Sequence, residues 1–423
     1  MNPYRTESVH MQAVIMAGGK GTRLAALTKD EIPKPMGEVA GKPLLLWQVE
    51  RLKDHGITDI LMVIGHLGEK IQEYFGDGER FGVRIRYFVE ETPLGTAGSF
   101  YYLKDMIHGD RFVMMSGDLF FDIDFQRMIR FHEEKGAVAT LFVHPNGHPF
   151  DSDLLVLDKD DKITAFDSKH NVRDYWYKNC VNAGIFVFEK KICDYVPEPV
   201  KRNLENDVIK GMLEAGEPIY GYCSPEYVKD VGTVDRVNQT LADIERGVIA
   251  GKCLRNKQRC IFMDRDGTIN SDEGHYYIYK PEDFVFNPGV IEGLKRLQKA
   301  GYLLIVITNQ GGIAKGIYTR EDMFKVHEKM CAELEKHGVT LTKIYYCPHH
   351  ESIKTCVCRK PSPYMVNLAI EEFHIDKKRS WFIGDSSKDV KCAEDAGVKP
   401  LRIHKNQDIT PVIDQILKSK DSF

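Results

Sequence analysis

The chain has 423 residues, 43% of them hydrophobic and 28% charged, and 58 Lys and Arg against 62 Asp and Glu give a net charge of −4. That length exceeds one ordinary domain, and the composition excludes a disordered or fibrous chain. The charge balance offers no global attraction for nucleic acid or an anionic membrane, so phosphate must be bound by local clusters.

Residues 1–12 lack the apolar core of a signal peptide, and the most apolar runs, 60–64 and 303–307, are strand-length and too short for a membrane span. A cytoplasmic protein is expected. Short β-branched runs alternate with amphipathic stretches, the pattern of a parallel sheet covered by helices. Residues 13–16, 60–64, 83–89, 111–115, 139–143 and 185–188 are predicted strands, with helices over 41–55 and 234–246. After a basic, motif-free segment at 249–258 the pattern restarts, with strands at 259–263, 303–307 and 381–383 and helices at 290–300 and 320–337. The expected organisation is α/β in two domains, 1–248 and 259–423, joined by a linker at 249–258. The two halves carry different motifs, as in a fusion of unlike domains.

Behind the first strand stands Gly18-Gly19-Lys20-Gly21-Thr22-Arg23-Leu24. Its glycines let backbone amides approach phosphate oxygens, and Lys20 and Arg23 add positive charge. The spacing is neither that of a P-loop nor that of a dinucleotide fingerprint. Pro33-Lys34-Pro35-Met36 fixes a lysine between two prolines, and Leu94-Gly95-Thr96-Ala97-Gly98 forms a small-residue loop where a flat base could lie. Ser116-Gly117-Asp118 puts a carboxylate at the carboxyl edge of the sheet, and Asp230-Val231-Gly232 supplies a second. Two carboxylates with a triphosphate make a Mg²⁺ site.

These motifs, with Asn182-Ala183-Gly184, resemble the sugar-phosphate nucleotidyltransferase family over about residues 11–245. The resemblance implies condensation of a nucleoside triphosphate with a sugar 1-phosphate, releasing pyrophosphate. It also implies that Arg23 and Lys34 stabilise the transferring phosphate, and that Gly18, Gly19, Gly21, Thr22, Gly95 and Thr96 hold the nucleotide. Asp118 and Asp230 would hold Mg²⁺, with Lys169 and Asn182 on the sugar phosphate.

In the second half, Asp264-Arg265-Asp266-Gly267-Thr268 follows a strand. Residues two apart on an extended chain face one side, so both carboxylates are expected at one spot, one to attack phosphorus and one to move the proton. Thr308-Asn309 closes the next strand, Lys360 can neutralise a phosphate, and Gly384-Asp385-Ser386-Ser387-Lys388-Asp389 adds acids for Mg²⁺. In this order the four motifs resemble the haloacid dehalogenase phosphatases, over about residues 258–410. The resemblance makes Asp264 the nucleophile, Asp266 the acid and then base, and Thr308, Asn309 and Lys360 the phosphate binders. Asp264, Asp266 and Asp385 would serve the Mg²⁺ site, with Asp389 an orienter of Lys360. Only 42 positions separate Asp266 from Thr308 and 25 separate Lys360 from Asp385, which leaves little room for a capping domain.

Cys347-Pro348-His349-His350 and Cys356-Val357-Cys358 supply four soft ligands, the number that a closed structural Zn²⁺ site needs. The resemblance selects His349 over His350 beside Cys347, Cys356 and Cys358. The fold expected is thus a Rossmann-like nucleotidyltransferase sheet followed by a haloacid dehalogenase-type Rossmann-like domain with a zinc loop. Phosphatases with such a loop act on D-glycero-D-manno-heptose 1,7-bisphosphate or on histidinol phosphate. The partner domain favours the former, because removing the 7-phosphate leaves a sugar 1-phosphate. The resulting expectation is a bifunctional enzyme making an NDP-heptose, with GTP favoured over ATP, another sugar such as mannose as the alternative, and the oligomeric state open. A non-catalytic sensor is disfavoured, since a binding module needs no nucleophile beside an acid.

Overall fold

The computed structural model describes residues 11–18, 32–144, 153–168, 171 and 180–419. The chain divides into two compact units, the first reaching Cys253 and the second beginning at Leu254.

The first unit contains strands β1 (Gln12–Met16), β2 (Asp59–Ile64), β3 (Arg84–Val89), β4 (Arg111–Ser116), β5 (Leu119–Asp122), β6 (Ala139–His144), β7 (Leu154–Leu157), β8 (Ile163–Asp167), β9 (Val181–Glu189), β10 (Ile219–Cys223) and β11 (Tyr227–Asp230). Nine of them form one sheet in the order β8-β7-β9-β4-β1-β2-β3, with β6 on β9 and β10 on β6. Strands β4, β1, β2 and β3 are parallel, whereas β9 runs antiparallel to β4 and β6. The sheet is therefore mixed, not wholly parallel. Strands β1 and β2 are buried on both faces, which is why they are continuous apolar runs with no alternation of polarity. Side chains still alternate between two cores: Ala13, Ile15, Ile60 and Met62 enter one, and Val14, Leu61 and Val63 the other.

Helix α1 (Leu44–Asp54) buries Leu45, Val49 and Leu52 against the first of these cores, as does α2 (Phe125–Lys135) with Phe125, Met128 and Ile129. Asp124 caps α2 by accepting from the Gln126 and Arg127 amides. The antiparallel pair β5–β11 sets Asp230 opposite Leu119. Helix α3 (Val234–Glu245) follows, and α4 (Val248–Lys252) lies where a linker was expected. Ile249 of α4 packs in a small core with Val39, Leu44, Phe120, Tyr227 and Val231, and Leu254 is buried in the core of the second unit. The segment lacks a motif but not packing contacts.

The second unit has five parallel strands, β12 (Cys260–Met263), β13 (Leu303–Asn309), β14 (Lys343–Cys347), β15 (Trp381–Gly384) and β16 (Lys399–Arg402), in the order β14-β13-β12-β15-β16. The three central strands match expectation. The outer two, β14 and β16, are only partly buried and lack an apolar run that sequence could show. Helices α5 (Val290–Lys299) and α6 (Arg320–Lys336) cover one face, and α7 (Ser387–Ala396) packs Cys392, Ala393 and Ala396 into the core of the other.

A reciprocal capping box starts α6, where the Thr319 side chain accepts from the Asp322 amide and Asp322 accepts from the Thr319 amide. Replacing Thr319 by Ala should cost about 1 kcal/mol of stability in urea unfolding of the full chain, and Thr319→Ser should recover most of it.

Candidate active sites

In the first unit the sheet edge and the β5–β11 pair bring together three of the expected residues. Lys34 lies on a short 3₁₀ turn, Lys34–Met36, that Pro33 enters and that buries Pro35. Its ammonium is hydrogen-bonded to Asp118 Oδ2 and lies 3.8 Å from Asp230 Oδ1. Burial would raise the Asp118 carboxyl, but Lys34, together with the Ser116 hydroxyl 2.7 Å from Oδ1, holds it below its ordinary value. The Asp118 loop is anchored from behind by buried Gln48, which donates to the Ser116 and Leu119 carbonyls at 3.0 and 2.7 Å. Asp230 accepts from Arg236 at 2.7 Å and from the Gly232 amide. A Cβ at Gly232 would stand 2.6 Å from Asp230 Oδ1 and 2.8 Å from Lys34 Nζ, so any larger residue must shift one of the two. Sequence reasoning missed Gln48 and Arg236, which carry no motif.

Of the glycine loop, Gly18 is described, and a Cβ on it would meet Glu90 Oε2 at 3.0 Å. Burial pushes the Glu90 carboxyl up to about 7. Gly19, Gly21, Thr22, Arg23 and Lys169 lie outside the described residues. The 94–98 loop packs on the backbone of residues 200–204. Gly95, at φ +78°, leaves no space for a Cβ beside the Arg202 carbonyl, and Thr96 Oγ1 accepts from the Leu204 amide at 2.7 Å. Its small residues thus meet a chain-packing demand as well as any ligand. Asn182 accepts from the Gly184 amide at 3.1 Å and donates to Glu205 at 3.2 Å, and burial raises the Glu205 carboxyl.

In the second unit several of the expected residues lie at the carboxyl ends of the parallel strands, where such folds bind ligands. Asp264 follows β12, Thr308 and Asn309 end β13, Cys347 ends β14, and Asp385 follows β15. Lys360 is 2% exposed and reaches Asp264 Oδ1 at 2.8 Å, Asp389 Oδ1 at 2.7 Å and the Ile307 carbonyl at 2.7 Å. Burial acts against its charge, but the two carboxylates outweigh it and raise the ammonium above its ordinary value. Asp264 is pushed up to about 7, by burial first and by Asp389 and Asp266 in addition, against the pull of Lys360.

Asp389 is aimed by its helix. It occupies the third position of α7 and accepts on Oδ2 from the Ser386 amide (3.0 Å) and hydroxyl (2.6 Å), which turns Oδ1 toward Lys360. The Asn309 amide is committed to the Lys360 loop, donating to the Lys360 carbonyl at 3.1 Å and accepting from its amide at 3.0 Å.

Carboxylate oxygens of Asp264, Asp385 and Asp389 lie within 4.8 Å of one another, an all-oxygen set suited to a hard divalent cation. Asp266 was expected to share that spot, and its carboxylate does not join this cluster. Strand β12 ends at Met263, so the alternation that places residues i and i+2 on one face has stopped before Asp264. The Asp266 side chain is instead turned onto Arg265, Asn270 and Gln310.

A second cluster holds Cys347, His349, Cys356 and Cys358. The sulfurs are 3.3 to 3.6 Å apart, and His349 Nδ1 is 3.4 Å from Cys358 Sγ and 3.8 Å from Cys347 Sγ. Tetrahedral bonds of about 2.3 Å have edges of about 3.8 Å, so the donor set fits a soft tetrahedral cation. His350 points away, bonded to Ser352 at 2.8 Å.

Comparison with known proteins bears on both units. Residues 12–247 match the Nucleotidyl transferase family model, and residues 259–408 the Polynucleotide kinase 3 phosphatase model. UTP–glucose-1-phosphate uridylyltransferase of Synechocystis is 33% identical over 261 residues, 59% of this chain and 66% of the relative. Mannose-1-phosphate guanylyltransferase of Mycobacterium tuberculosis is 32% identical over 246 residues, 58% of this chain and 67% of the relative. The chain thus spans about two thirds of each of these transferases. D-glycero-beta-D-manno-heptose-1,7-bisphosphate 7-phosphatase of Haemophilus ducreyi is 43% identical over 148 residues, 34% of this chain and 80% of the relative. The chain belongs to the nucleotidyl transferase family and, through its second unit, to that of the heptose-bisphosphate 7-phosphatases. A nucleotidyltransferase unit and a phosphatase unit therefore share one polypeptide.

The packing at Gly232 supplies a test. Gly232→Ala must displace Asp230 or Lys34, and nucleotidyl transfer should fall about 10²-fold, the scale of an ångström-size misplacement. Phosphate release by the second unit of the same protein, assayed in parallel, should hold.

Proposed function

We propose that the chain catalyses two consecutive steps of nucleotide-activated heptose synthesis: removal of the 7-phosphate from D-glycero-D-manno-heptose 1,7-bisphosphate, then transfer of a nucleotidyl group to the heptose 1-phosphate. One observation carries the reading. The second unit is 43% identical to a heptose-1,7-bisphosphate 7-phosphatase over 80% of that relative, and removing the 7-phosphate would leave a sugar 1-phosphate, the substrate class of the unit beside it. GTP is the favoured donor, because one transferase relative is a guanylyltransferase.

In the phosphatase unit, Lys360 and the Arg265 amide hold Asp264 Oδ1, leaving Oδ2 to attack phosphorus. Thr308 and Lys360 would steady the phosphate while Asn309 fixes the Lys360 loop, and Asp266 would give a proton to the leaving oxygen and take one from water. Asp264, Asp385 and Asp389 have the oxygen donors to hold Mg²⁺, which would neutralise the phosphate. Cys347, His349, Cys356 and Cys358 would hold Zn²⁺, closing the loop that leads to Lys360.

In the transferase unit, catalysis is chiefly positioning and charge neutralisation. Lys34 and Arg23 would face the α-phosphate, Asp118 and Asp230 would hold Mg²⁺, and the loop of Gly18, Gly19, Gly21 and Thr22 would cradle the nucleotide with Gly95 and Thr96. Asn182 and Lys169 would meet the sugar phosphate. The two units would work as separate domains, each with its own site. No helix among the described residues is long and apolar enough to cross a membrane.

Asp264→Asn should abolish phosphate release from the heptose bisphosphate while pyrophosphate still forms from heptose 1-phosphate and GTP. Loss of both would contradict two separate sites. Running the four NTPs against heptose, mannose and glucose 1-phosphates checks the donor and the acceptor, and a preference for mannose 1-phosphate would overturn the heptose assignment. Elemental analysis should find stoichiometric zinc, which Cys358→Ala removes together with thermal stability.

A further inference from the structure

Arg265 is the least exposed charged side chain of the phosphatase unit among the described residues, at 0%, and the reading above gives its guanidinium no task. It lies against Asp266, with Nε 3.0 Å from Oδ1 and Nη2 2.9 Å from Oδ2, a two-point grip that fixes the plane of the carboxylate. Two of its other donors are taken up behind. Nη2 also reaches the Ile278 carbonyl at 2.7 Å, and Nη1 meets His327 Nε2 at 3.1 Å. Burial first, and the adjacent guanidinium second, hold His327 well below its ordinary value, so its ring is neutral and accepts that bond.

Two neutral amides complete the grip. Asn270 Nδ2 donates to Asp266 Oδ1 at 3.2 Å, and Gln310 Nε2 donates to Oδ2 at 3.0 Å. Gln310 is 1% exposed, and its Nε2 also donates to Thr308 Oγ1 at 2.8 Å. Its Oε1 accepts from the Tyr318 hydroxyl at 2.7 Å, and a flipped amide would set Oε1 against the Asp266 carboxylate. Gln310 therefore joins the proton-transfer carboxylate to the threonine at the phosphate position.

We infer that Arg265 and Gln310 are positioning residues for Asp266: Arg265 is the fixed anchor, and Gln310, oriented by Tyr318, is the releasable donor that sets Asp266 in register with the phosphate. Four donors meet the two Asp266 oxygens, so one of these contacts must give way when Asp266 carries a proton. An amide can let go at the cost of one hydrogen bond, whereas releasing Arg265 would strand a buried charge. In the first step the P–O bond to the leaving alcohol breaks as the bond from Asp264 to phosphorus forms. The bonding pair leaves on the alcohol oxygen, and the proton passes to it from Asp266. In the second step water attacks the phosphoaspartate, Asp264 recovers its carboxylate, and the water proton goes to Asp266.

The inference rests on the phosphatase reading and is tested by the leaving group. An alkyl phosphate such as the heptose bisphosphate needs that proton, whereas p-nitrophenyl phosphate releases a phenolate that departs without it. In the full-length chain, Gln310→Leu should lower kcat/KM for the alkyl ester about ten times further than for the aryl ester, within the range of general-acid effects. Tyr318→Phe keeps the shape of the core and should shift the same ratio in the same direction, about three-fold; it decides the matter should Gln310→Leu not fold. Equal falls on both esters would overturn the inference by reducing Gln310 to a packing residue. A wild-type chain that hydrolyses neither ester would instead overturn the phosphatase reading.

Discussion

The second unit depends on one buried ammonium. Lys360 is enclosed between Asp264 and Asp389, and without it two carboxylates at the end of a parallel sheet would face each other in a site that water reaches poorly. Desolvating a charge costs several kcal/mol, which only opposite charges and hydrogen bonds at close range offset, and removing one partner of such a group typically costs about 3–5 kcal/mol. The surrounding structure serves that arrangement. The capping box of α7 turns Asp389, the Asn309 amide clasps the backbone of Lys360, and the Ile307 carbonyl takes the third proton of the ammonium. The result is a carboxylate, Asp264, held by one of its oxygens.

The first unit meets a similar demand with a different chain path. Lys34, on a proline-framed turn, stands by Asp118 and Asp230, which come from a strand connection and from the end of β11. In both units the acids come from separate segments, and tertiary packing alone makes them neighbours. Both then require a cation before phosphate, itself an anion, can approach. This shared electrostatic condition connects two sheets of different strand order on one chain.

Much of this was legible in the sequence because glycine, proline and carboxylates at strand ends leave strong local signals. The central strands were readable from their apolar runs, and the Cys-x-His and Cys-x-Cys pairs foretold a cluster that the fold assembles from both sides of a loop. The edge strands β14 and β16 were not readable, since an edge needs no apolar run on both faces. Asp266 lies outside the cluster of Asp264, Asp385 and Asp389 because period-two alternation does not extend three residues past the end of β12. Gln48, Arg236, Glu205 and Gln310 escaped notice because their partners lie 6 to 71 positions away along the chain and no spacing marks them. The 94–98 loop was legible as special, but part of the reason lies in residues 200–204, far off in sequence.

The account stands on two pockets that act in order, the hydrolytic one first. A single vessel holding the chain, Mg²⁺, GTP and heptose 1,7-bisphosphate, sampled by rapid quench for inorganic phosphate and for pyrophosphate, tests that order directly. Phosphate should rise at once and pyrophosphate only after a lag that shortens when heptose 1-phosphate is supplied. Pyrophosphate that appears without prior phosphate, or phosphate that is never followed by pyrophosphate, would contradict it.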